Sequence, residues 1–115
     1  MLSEYLNEIA QRSKHGEITW TQPNPSVFQW YSEQQNMLVT IQQASTLKTL
    51  ADFLFTPDKV SYLFQVVDKS KKQTLVSISS KERPEFFDQL NEIYIGAKQG
   101  IDKQSSNVLA RLLGH

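Results

Sequence analysis

Between Val60 and Ala97 the apolar spacing changes once, from every second residue to every third or fourth, and this constrains the fold more than any other feature. Val60, Tyr62, Phe64 and Val66 alternate with Ser61, Leu63, Gln65 and Val67. After the polar run Asp68-Lys69-Ser70-Lys71-Lys72-Gln73, Thr74, Val76 and Ile78 alternate with Leu75, Ser77 and Ser79. Beyond Pro84, Phe86, Leu90, Ile93, Tyr94 and Ala97 fall at helical steps. The spacing predicts strand, turn, strand, helix. Pro84 suits the first turn of that helix, where its missing N–H is not needed, and Glu85 and Asp88 complement the helix dipole there.

The preceding residues extend this pattern. Leu2, Tyr5, Leu6, Ile9 and Ala10 predict a first helix over residues 3–14, with Ser3 as its N-cap and Lys14, His15 and Gly16 closing it. Ile18 and Trp20 predict a short strand, ended by Gln22-Pro23-Asn24-Pro25 because prolines cannot donate to a ladder. Residues 27–32 and 37–43 predict two further strands around the loop Glu33-Gln34-Gln35-Asn36, with Phe28 and Trp30 on one face and Val27, Gln29 and Tyr31 on the other. Leu47, Leu50, Ala51 and Leu54 predict a short middle helix over residues 47–53, against the rival of an ordered loop that plugs the core with Phe53 and Phe55. Gly96 costs about 1 kcal/mol in a helix interior. It implies either close packing or an end, and Gly100 reads as the stop. A last helix is expected over residues 102–113, carrying Val108, Leu109, Leu112 and Leu113.

The fold class that follows is α+β: an antiparallel sheet of about five strands with an N-terminal helix, a middle helix and C-terminal helices packed on it, in a single domain over residues 1–115. Hydrophobic residues at 39% supply a core for a chain of this length without a metal or disulfide. Cysteine is absent, which removes disulfides and thiolate chemistry. The N-terminal residues show no basic, apolar leader pattern and no run is long enough to span a membrane, so a cytoplasmic location is expected.

Chemistry-bearing residues are few. His15 and His115 have no neighbouring ligand of suitable spacing, so no metal site is expected. Ser45-Thr46-Leu47-Lys48 has a Ser-x-x-Lys spacing, without the companion motifs that give it meaning. Glu85, Asp88 and Glu92 form a stripe that reads as a solvated helix face rather than an acid–base pair. No catalytic residue, cofactor or small-molecule ligand is inferred. Twelve basic residues balance twelve acidic ones, which argues against nucleic acid as the default partner. The one basic concentration, Lys69, Lys71 and Lys72 on the hairpin turn, keeps that alternative open; an enzyme whose groups converge only in the fold is the other. The sheet offers more apolar positions than one face needs. A surplus face would mark self-association or a protein partner, with Trp20, Trp30, Tyr31 and Leu63 as candidate contacts that are equally plausible as core.

The element order over residues 3–98 is similar to that of type III secretion chaperones, small cytoplasmic dimers that bind unfolded effector segments along apolar sheet surfaces. That resemblance implies a homodimeric, non-enzymatic binding module. The stretch from Tyr62 to Ser79, with Pro84-Glu85-Phe86-Phe87-Asp88-Gln89-Leu90-Asn91-Glu92-Ile93-Tyr94, resembles the hairpin-and-helix ending of small bacterial domains, which implies no activity or site.

Overall fold

The computed structural model describes residues 1–45 and 60–114. The expected middle helix and Lys48 of the Ser-x-x-Lys spacing lie outside them. Among the described residues the elements run α1 (Leu2–Lys14), β1 (Thr21–Asn24), β2 (Val27–Ser32), β3 (Met37–Ser45), β4 (Val60–Asp68), β5 (Gln73–Ser79), a 3-10 turn (Pro84–Phe86) and α2 (Phe87–Leu112). The five strands form one antiparallel meander, ordered β1-β2-β3-β4-β5. The fold is α+β.

Strand alternation sets the two faces. Phe28, Ile41, Phe64 and Ile78 lie opposite one another across four strands, and Trp30, Val39, Val66 and Val76 form the next row. Both rows face the helices, and Phe28, Ile41, Phe64 and Ile78 are buried with Leu6, Ala10, Leu90, Ile93 and Ala97. Each large side chain so buried contributes about 1.5–3 kcal/mol. The opposite face carries three rows: Tyr31-Leu38-Val67-Thr74, Gln29-Thr40-Gln65-Ser77 and Val27-Gln42-Leu63-Ser79.

Helix α1 starts one residue earlier than expected, with Met1 at the cap position, and Ser3 makes no capping bond. The Tyr5 amide donates to Met1 O (3.3 Å), carrying the first turn over Ser3. The short strand expected at Ile18–Trp20 instead runs from Thr21 to Asn24 and includes Pro23. Among the described residues β1 is the outermost strand and has one side without a ladder partner, so a missing N–H is tolerated there; pairing with β2 is irregular between Thr21 and Asn24. Val66 pairs with Val76 but Val67 pairs with Thr74, so Leu75 is an extra residue in β5. That bulge moves Thr74 to the face opposite Val76 and Ile78 and leaves Leu75 exposed.

The two expected C-terminal helices are one, 26 residues long. Neither glycine breaks it, because both lie where α1 approaches. Ser3–Gln89 and Lys103–His15 hydrogen bonds, with the close approaches of Gly96 to Ala10 and Gly100 to Ser13, show α1 and α2 running side by side in the same direction. A Cβ on Gly100 would lie 2.7 Å from Ser13 O, and one on Gly96 3.0 Å from Ala10 O. The helices meet as closely as they do because these positions carry no side chain.

Candidate functional site

Helix α1 ends at Lys14, and Gly16 with a φ of +75° turns the chain away. Helix α2 does not end there. The Lys103 ammonium donates to His15 O (3.2 Å), the last hydrogen bond between the two segments, and α2 runs on to Leu112. Its apolar stripe runs on with it: Tyr94, Ala97, Ile101, Val108 and Leu112 share a face, with Ser105 between them. Along the first half this stripe is packed; Ala97 is fully buried and Ile101 is partly buried against the core. Along the second half it is bare, with Val108 52%, Leu109 57%, Leu112 78% and Leu113 72% exposed.

A groove of about 470 Å³ lies between this free end and the start of β1. Ile101, Gln104, Ser105, Val108 and Leu109 form one wall, and Trp20, Thr21 and Gln22 the other. The second wall is held in place from behind. The Trp20 indole N–H donates to Ser13 Oγ (2.8 Å), whose own hydroxyl donates to Ile9 O (2.7 Å), and the ring meets Trp30 edge-on at 6.0 Å. Thr21 Oγ1 donates to Gln29 O and the Gln22 amide to Pro25 O. Among the described residues the lining contains no side chain that ionises near neutral pH.

The residues singled out from sequence separate into three places. Trp20, at 3% exposure, belongs to the core and also lines the groove, and the half-buried Trp30 packs edge-on against it on the helix-covered face. Tyr31 and Leu63 lie on the opposite face, where the polar row Gln29-Thr40-Gln65-Ser77 separates them. That face is consequently two small apolar ends rather than one surface. Lys69, Lys71 and Lys72 are exposed on the β4–β5 turn. The Asp68 carboxylate accepts from the Ser70 and Lys71 amides, and the Lys69 ammonium lies 4.8 Å from the centre of the Tyr31 ring. Tyr31 also donates to Asn36 Oδ1 (2.7 Å), and Asn36 donates to Ser70 Oγ. The two hairpin turns thus close on each other, with the Tyr31 ring and hydroxyl both engaged between them.

The acidic stripe does not converge. Glu85 faces Arg83 at 3.7 Å, Glu92 pairs with Lys14, and Asp88 is exposed. His15 is an exposed helix cap. Among the described residues no three His, Asp or Glu side chains group to hold a metal ion, and no helix is long and apolar enough to cross a membrane.

The groove was not singled out in the sequence. Val108, Leu109, Leu112 and Leu113 were visible as an apolar helical pattern, but exposed and buried stripes look alike until the covering element is known. Length gave no signal either, because the sequence reads as two short helices divided at Gly100, and only the continuous 26-residue α2 outruns the 13-residue α1. The chain matches no protein-family model, no curated protein and no solved structure.

Proposed function

We propose that this chain is a non-enzymatic protein-binding module that docks its partner along the free end of α2. The observation that carries this reading is the apolar stripe that passes from the core into solvent, broken only by Ser105, beside a groove whose described lining is uncharged. Four large apolar side chains more than half exposed on one short stretch are costly to leave in water, and exposed patches of this kind mark interaction surfaces. A groove open along its side, with no ionisable group to orient a small molecule, favours an apolar helix or segment of a protein over a metabolite. The resemblance of the expected element order to that of type III secretion chaperones, which rests on the sequence alone, is in keeping with a binding role.

The test is retention of protein partners, the chain's own copies included, by the immobilised wild type and by a Val108→Lys/Leu112→Lys variant. The expected result is at least tenfold weaker retention by the variant, with a melting temperature within about 2 °C of wild type because both sites are exposed. Equal retention by both proteins would contradict the reading.

Nucleic-acid binding is the second reading, carried by the exposed Lys71 and Lys72 on one turn. It requires affinity for single-stranded RNA or DNA that falls steeply between about 50 and 200 mM salt and is lost when the three lysines are replaced. Binding that ignores salt and survives the replacement would dismiss it.

A further inference from the structure

We draw no further inference here: the strongest candidate, the groove between the exposed apolar end of α2 and the start of β1, belongs to the site already described, and nothing in the structure shows what covers it.

Discussion

Ser13 shows how much of this molecule depends on one small side chain. It is completely buried on α1, donates to Ile9 O and accepts from the Trp20 indole, and so joins the first helix to the wall of the groove. Ser13→Ala would leave the Trp20 N–H buried without a partner, at a cost of about 1–3 kcal/mol. Combining it with Trp20→Phe, which removes the stranded donor, should cost less than the sum of the two single changes in a double-mutant cycle; additive losses would show that the bond contributes nothing. Gly100 makes the opposite kind of demand. Alanine there gains about 1 kcal/mol of helix propensity, yet its Cβ would sit 2.7 Å from the Ser13 carbonyl oxygen, a backbone atom that cannot swing aside. Overpacking of this kind costs about 1–3 kcal/mol, so Gly100→Ala should lower the melting temperature by several degrees, and an increase would refute the close approach.

At the scale of elements, the inward faces of β2, β3 and β4 were legible in the sequence because a sheet covered on one side imposes strict alternation. Phe28, Trp30, Val39, Ile41, Tyr62 and Phe64 fall where that rule puts them. What was not legible depended on neighbours. Gly100 reads locally as a helix stop and Gly96 as either a close contact or an end, and only the approach of α1 shows that both are close contacts through which α2 continues. Pro23 reads as the end of a strand until β1 is seen to be the sheet edge. The extra residue Leu75 leaves no mark on the alternation around it. The exposed apolar end of α2 was hidden for the same reason: the pattern gave a helix at residues 102–113 but not what lay beside it. Helix α2 is also tied to the β1–β2 turn by Tyr94, whose hydroxyl donates to Pro25 O (3.4 Å) and whose ring packs on Phe28 and Tyr62. Burial, with a smaller contribution from Tyr62, raises the Tyr94 pKa above its ordinary value of 10.0. Because the folded state holds this proton more tightly, the stabilisation is complete below about pH 10 and is lost as pH rises through the raised folded value. Denaturant midpoints should therefore fall above about pH 10, and the fall should be shallower in Tyr94→Phe. An identical alkaline slope in the two proteins would show that Tyr94 does not carry the effect.

For the whole molecule, the two halves of α2 have different surroundings. The half beside α1 closes the core. The half beyond Lys103 is packed by no other element among the described residues, and an uncovered helix end holds its hydrogen bonds weakly in water. Amide hydrogen exchange on the free chain in dilute solution tests this division most directly. Residues 88–100, packed against α1 and the sheet, should be protected, whereas residues 104–112 should exchange quickly. Protection of residues 104–112 equal to that of residues 88–100 would contradict it.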